Sequence, residues 1–236
     1  MNVSERVNEW QRLFKAALAL LELPRARLHF YSHNAPSKIR AIFTQFNKPH
    51  ARIPMIKNKT LGIALIDLSN FNGPEEYIAT VKKRDFAGYH ARVAKKRGYT
   101  VRRIDRNHHI QEIFAINTSS DSRQGRPMDP QYQTLQTTYD DSAPMQCYGV
   151  FNAQGQLCAY CRLGVYGDFA ATDCLLGYKN NDGIMYLLLL EIVCAMITEG
   201  KLKYFMYDTF LGAQPGLQSF KKRIGFQPYR VSYAID

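Results

Sequence analysis

The sequence predicts an α+β fold: a mixed, mostly antiparallel sheet flanked by helices, preceded by a basic, partly helical N-terminal extension. Three observations predict it. Residues 99–236 run in the order strand, helix, three-strand meander, helix, strand, helix, strand. Ile184 to Ile197 is apolar apart from Glu191, and it is shorter than the roughly 18 to 20 residues of a membrane span, so it reads as a buried helix. Residues 1–110 hold 21 Lys and Arg against 8 Asp and Glu, whereas residues 111–236 hold 10 against 12, so the net charge of +11 belongs to the first half.

The 236 residues allow one large domain, or a domain with a substantial extension. We divide them into a basic N-terminal region, 1–98, packed on a core domain, 99–236. With 46% hydrophobic, 22% charged and 12% aromatic residues the chain is expected to fold as a globular protein. Glu5, Glu9 and Arg12 precede any apolar run, and no small-residue cleavage site follows Leu23. The expectation is a cytoplasmic protein with no membrane span. Five cysteines, 147, 158, 161, 174 and 194, are scattered through apolar segments, which suits reduced core thiols. Cys158 and Cys161 form a C-x-x-C, but residues three apart on a strand point to opposite faces and no second ligand pair is nearby, so no metal is expected.

Val3, Trp10, Leu13, Phe14, Ala17 and Leu21 lie near helical spacing, predicting an amphipathic helix over 3–22 that Pro24 ends. Residues 25–59 show no clear period. Leu61 to Asp67 reads as a buried strand, and Asn72-Gly73-Pro74 as a turn opening a helix from Glu75 to Arg97. That helix would bury Ile78, Val81, Phe86, Tyr89 and Val93 and present Lys82, Lys83, Arg84, Arg92, Lys95 and Lys96 as a basic ridge, stopped by Gly98. A tRNA or another polyanion would be attracted to this half; a solvated face serving solubility is the alternative. Tyr99 to Asp105 alternates as a strand, and Ile110, Ile113 and Phe114 mark a short helix. Gln146–Ala153, Gln156–Val165 and Asp168–Leu176 make the meander. Asn181-Asp182-Gly183 caps the apolar helix, which Gly200 closes. Lys203–Asp208 is a strand, Leu217–Ile224 a helix and Phe226–Ala234 the last strand.

This order, with Tyr99-Thr-Val-Arg-Arg-Ile-Asp105 before His109-Ile-Gln-Glu-Ile-Phe114 and with Phe220-Lys-Lys-Arg-Ile-Gly-Phe-Gln-Pro228 near the end, resembles the core of the GNAT acyltransferases over residues 99–236. Gly200 to Asp208, Gly216-Leu217 and Phe220-Lys221 look closest to the FemAB-like branch, which includes enzymes using acyl-CoA and enzymes taking amino acids from aminoacyl-tRNA. The resemblance implies an N-acyltransferase moving an acyl group from acyl-CoA, acetyl-CoA first, to an amine or hydroxyl of a small-molecule, peptide or polymer acceptor. An aminoacyl-tRNA-dependent transferase is the alternative, and a non-catalytic GNAT-derived module binding nucleic acid or protein is the second.

One departure stands out. Where acyl-CoA users carry an Arg/Gln-x-x-Gly-x-Gly/Ala loop for the pyrophosphate, this chain reads Tyr178-Lys-Asn-Asn-Asp-Gly-Ile-Met185. One glycine remains, and Asp182 is acidic where an anion would sit. The helix terminus still favours an anion, so Lys179, Asn180, Asn181 and Gly183 are the candidate cofactor-binding residues.

The resemblance also places candidate catalytic residues. Asp208, ending the strand Tyr204–Asp208, would orient or deprotonate the acceptor; capping the next turn is its other role. Lys221, the lysine of the Phe-Lys pair, would meet the donor carbonyl or phosphates; beside Lys222 and Arg223, a place on a solvated helix face is its other role. Tyr207 would supply a hydroxyl near the leaving group, or simply pack. Arg123 and Arg126, in the loop after the first core helix, are the candidate substrate-binding residues, gripping a carboxylate or phosphate with paired N–H donors.

Overall fold

The computed structural model describes residue 20 and residues 22–49, 57–123 and 126–236; at positions 123 and 126 the backbone alone is described. The helix expected over 3–22 therefore falls almost wholly outside the described residues. In chain order the elements are β1 (Arg25–Phe30), α1 (Pro36–Asn47), β2 (Leu61–Asp67), α2 (Pro74–Thr80), α3 (Ala87–Lys96), β3 (Thr100–Arg103), α4 (Ile110–Thr118), β4 (Ser122–Arg123), β5 (Arg126–Pro127) and α5 (Pro130–Gln133). There follow β6 (Met145–Phe151), β7 (Leu157–Val165), β8 (Phe169–Gly177), α6 (Ile184–Glu199), β9 (Tyr204–Thr209), α7 (Pro215–Ile224) and β10 (Gln227–Ile235).

Eight strands form one sheet in the order β1-β10-β2-β9-β8-β7-β6-β3, with β4 and β5 a separate two-stranded ribbon. Within the large sheet β1 with β10 and β8 with β9 are parallel, and the other neighbours are antiparallel. This is the expected mixed, mostly antiparallel sheet flanked by helices. Strands β1 and β2 are members of the same sheet as the later strands.

The sheet curls at the β1 edge. Phe30 bridges to Gly167, the Tyr31 N–H donates to the Tyr166 carbonyl at 2.8 Å and the Asp168 N–H to the His29 carbonyl at 3.1 Å. Inside the curl Leu28, Phe30, Ile63, Leu65, Phe169 and Met206 are almost fully buried, and Ile39 of α1 closes them off. On the opposite face α6 packs against α2, α3 and strands β6 and β7. Its residues Leu187 to Leu190, Ile192 and Val193 are all buried, because an all-round apolar helix has to be covered on every side. Left-handed Gly183 and Gly200, φ 80° and 64°, bound it.

The single helix expected over Glu75 to Arg97 is two helices. Lys82 to Asp85 are four consecutive charged residues with no apolar side chain to bury; Asp85 turns left-handed at φ 67°, and the Gly88 N–H donates to the Val81 carbonyl at 2.9 Å. The buried stripe is Tyr77, Val81, Ala87, Ala91 and Ala94, while Ile78 is 37% exposed. Lys82 and Lys83 stand in the break, not on a helical ridge, and Lys95 pairs with Glu191 of α6 at 2.6 Å. The unassigned stretch 25–59 contains β1 and α1. Cys147, Cys158, Cys161 and Cys174 are buried thiols and Cys194 is half-buried. Among the described residues no helix is long and apolar enough to cross a membrane.

Candidate active site

Strands β8 and β9 pair through Phe169 with Tyr204, Ala170 with Phe205 and Ala171 with Met206, and then part. Two irregularities separate them. Leu163 pairs with Thr172 and Arg162 with Cys174, which leaves Asp173 as the extra residue of β8. Met206 and Thr209 pair with Leu65 and Ile63, which leaves β9 one residue too long, and Asp208 adopts the left-handed region at φ 49°. An extra residue bends its strand and re-aims the side chain it carries. The gap opens on a cleft of about 430 Å³ whose polar walls include Lys59, Asp129, Arg162, Asp173, Tyr207 and Asp208.

Lys221 reaches the end of β9 from α7. It is 1% exposed, its Nζ donates to the Thr209 carbonyl at 2.6 Å, and it stands 4.4 Å from the centre of the Tyr207 ring. The helix is fixed at its end by the buried Tyr77 hydroxyl, which donates to the Ile224 carbonyl at 2.7 Å. Burial disfavours the charged amine and Lys59 repels it, while Asp208 favours it; the net result is a pKa brought down from 10.5 to about 8. Burial raises the Asp208 carboxyl, but the ion-paired Lys59 and the nearby Lys221 outweigh it and hold Asp208 below its ordinary value. Asp208 is therefore a carboxylate at neutral pH. Lys221, Tyr207 and Asp208, named from sequence, are brought together.

The expected cofactor loop lies beyond the C-terminal end of β8, the same end of the sheet as Asp208, because β8 and β9 are parallel. Gly183 precedes the first turn of α6, which has no side-chain cap. Asp182 does not face that terminus: Arg97 and the Tyr99 hydroxyl, the latter at 2.7 Å, bind its carboxylate. Lys179 Nζ donates to Ser120 Oγ at 2.8 Å, which ties this loop to the one that carries Arg123 and Arg126. The backbones of Arg123 and Arg126 pair across β4 and β5. Tyr186, in the first turn of α6, packs on Phe220 at 4.8 Å between ring centres, so the loop and the residue next to Lys221 share one cluster. Asn180 Oδ1 accepts from the Asp182 N–H at 3.2 Å and shapes the loop itself.

Gly183 has little freedom. A Cβ there would lie 2.7 Å from the His90 carbonyl oxygen, and its φ is left-handed. Gly183→Ala should lower stability by about 2 kcal/mol, since the left-handed conformation costs an alanine about 1 to 2 and the contact adds to it. A denaturant midpoint equal to wild type would show that α3 does not press on the loop.

Sequence reasoning missed the charged walls of the cleft other than Asp208. Lys59, Asp129 and the pair Arg162–Asp173, with Arg162 Nη1 donating to Asp173 Oδ2 at 2.8 Å, line it. Among the described residues Thr172 Oγ1 and Arg162 Nε, both on side chains that line the cleft, are buried without a hydrogen-bond partner. A charged residue amid each of two apolar strands, Arg162 in β7 and Asp173 in β8, was the one local signal. A second depression, about 480 Å³, shares Arg162 and Asp173 and reaches the buried Arg106, which pairs with Asp141. Among the described residues no group of His, Cys, Asp and Glu is arranged to hold a metal.

No family model matches the chain, and no curated protein matches it. Among solved structures it is similar to FemX, with 12% identity over 84% of this chain and 67% of that one and a TM-score of 0.55. A conserved protein of unknown function from Bacteroides thetaiotaomicron aligns at 13% identity over 81% and 64%, TM-score 0.51. L-PGS from Bacillus licheniformis aligns at 15% identity over 70% and 57%, TM-score 0.48. The chain thus spans between about half and two thirds of the length of these structures. The splayed parallel pair at the centre of a mixed sheet, the helix that follows its first strand and the likeness to FemX together show a GNAT-like fold.

Proposed function

We propose that this protein is an acyltransferase that moves an acyl group from a carrier onto an amine or hydroxyl. One observation carries the reading: a buried lysine with a pKa near 8 stands with Tyr207 and an ionised Asp208 where the strands part over a cleft. Acyl transfer needs a donor for the developing oxyanion, a group to orient or deprotonate the nucleophile and a proton for the leaving group. Lys221 serves the donor carbonyl or phosphates, Asp208 the acceptor, and Tyr207 the leaving group. Arg123 and Arg126 hold an anionic part of a small-molecule, peptide or polymer acceptor.

The first donor is an acyl-CoA, acetyl-CoA above others, its phosphates held at the start of α6 by Lys179, Asn180, Asn181 and Gly183. Aminoacyl-tRNA is the second reading, favoured by the lone glycine of that loop and by the basic first half of the chain. The purified protein is to be incubated separately with labelled acetyl-CoA and labelled aminoacyl-tRNA, each with a panel of amines and hydroxyl compounds. Transfer from one donor supports the reading. Transfer from neither leaves the chain as a binding module.

Asp208→Asn should lower turnover by about 10², the lower end of what a positioned acid or base contributes. Asp208 is half exposed, so its loss should leave the melting temperature nearly unchanged. Full turnover in the variant would remove Asp208 from the reaction.

A further inference from the structure

The β1 edge carries an arginine cluster that the reaction does not use. Along β1 burial alternates: Ala26, Leu28 and Phe30 face the curled core, and Arg25 and Arg27 are exposed on the outer face. Strand β10 lies parallel, with Arg25 opposite Arg230 and Arg27 opposite Ser232. Residues paired in register point to the same face, so three guanidinium groups and a hydroxyl stand together there. Their spacing is about 5 Å across the strands and about 7 Å along them.

Like charges side by side on a sheet are destabilising unless something neutralises them. Among the described residues none of the three arginines is in an ion pair with a carboxylate. Arg230 Nε is buried with no hydrogen-bond partner among the described residues. Asp168, beside the end of β1, accepts from the His29 N–H at 2.8 Å. Planar guanidinium forks match phosphate oxygens two at a time. Among the described residues the large exposed apolar side chains, Ile78, Leu135 and Leu211, all lie outside β1 and β10, so these two strands offer none of the apolar anchors of a bilayer-binding surface.

The register also ties the cluster to the active site. Arg230 pairs with Leu61 and Thr209 with Ile63, on the two sides of β2. Arg230 is thus two strand spacings across and two residues along β2, about 12 Å, from the residue whose carbonyl receives Lys221.

We infer that the outer face of β1 and β10, through Arg25, Arg27 and Arg230, binds the phosphate backbone of a structured RNA. The identity of the polyanion rests on the aminoacyl-tRNA reading of the donor; the surface itself does not. Binding of an unacylated tRNA to the full chain, followed by fluorescence anisotropy between about 50 and 200 mM salt, tests it without turnover. Arg25→Gln with Arg27→Gln should weaken binding about tenfold and flatten the log–log salt slope by about 1.4 to 1.8, the share of two phosphate contacts. Arg230→Lys keeps the charge but loses the fork, and should also weaken binding. The control Lys82→Gln with Lys83→Gln removes the same charge from the other part of the basic half and should change affinity less than the arginine pair. Equal losses in the two double variants, no tRNA binding by wild type, or tighter binding to phosphatidylglycerol vesicles than to tRNA would each overturn the inference. Those results leave the acetyl-CoA transfer measurement standing, because none of these residues is assigned to the reaction.

Discussion

Lys221→Met is expected to lower turnover by about 10² or more while leaving the protein as stable as wild type, or more stable, at neutral pH. The rate loss follows from removing a buried cation beside Tyr207 and Asp208, as lost oxyanion donors cost elsewhere. The stability follows from the depressed pKa of about 8 against 10.5 for a free lysine. Below pH 8 the amine is charged in both folded and unfolded chains, and its burial costs the folded state about 3 kcal/mol, the 2.5-unit difference converted at 1.36 kcal/mol each. Between pH 8 and 10.5 the unfolded chain still binds that proton and the folded chain does not. Stability therefore rises with pH across this window in wild type. In the methionine variant the rise disappears. The Thr209 carbonyl loses its donor, which costs about 1 to 3 kcal/mol and offsets much of the gain at pH 7. Urea denaturation at pH 7 and pH 10, beside turnover with the carrier found above, separates the two effects. If the charged amine is the working form, wild-type turnover falls as pH rises through about 8. Wild-type turnover in the variant would take Lys221 out of the mechanism.

Leu188→Asp is expected to unfold the protein. Leu188 is completely buried within α6, whose neighbours Leu187, Leu189 and Leu190 are buried too. The substitution removes a leucine worth about 2 to 5 kcal/mol in a core and puts an unpaired carboxylate in its place. The sum exceeds much of the roughly 5 to 15 kcal/mol that holds a domain folded. Glu191→Gln, on the same helix but partly exposed and paired with Lys95, should change stability by less than about 1 kcal/mol. Circular dichroism and gel filtration of both variants provide the check. A soluble Leu188→Asp protein that melts like wild type would contradict the placement of α6 in the core.

The sequence by itself determined the elements whose signals are local. Helix α6 was legible because its apolar run is continuous and a glycine at each end can take the left-handed conformation. The meander, β9, α7 and β10 were legible because turns separate short runs of matching period. Strand β1 was not, because its partner β10 lies at the other end of the chain, and Arg25, Arg27 and His29 between buried residues look like a polar loop until that partner supplies the other wall. The break between α2 and α3 was hidden because a charged segment satisfies helical spacing on a solvated face as well as it forms a turn. Among the site residues, Asp208 and Lys221 could be named from the sequence, but their electrostatic state could not. Lys221 sits in a run of three basic residues, and only the docking of α7 under β9 decides which of them is buried and loses its solvent. Asp208 owes its lowered pKa to Lys59, 149 residues earlier. Local propensity sets where strands and helices begin and end; desolvation and charge pairing depend on distances through space, which the chain acquires only when distant segments meet.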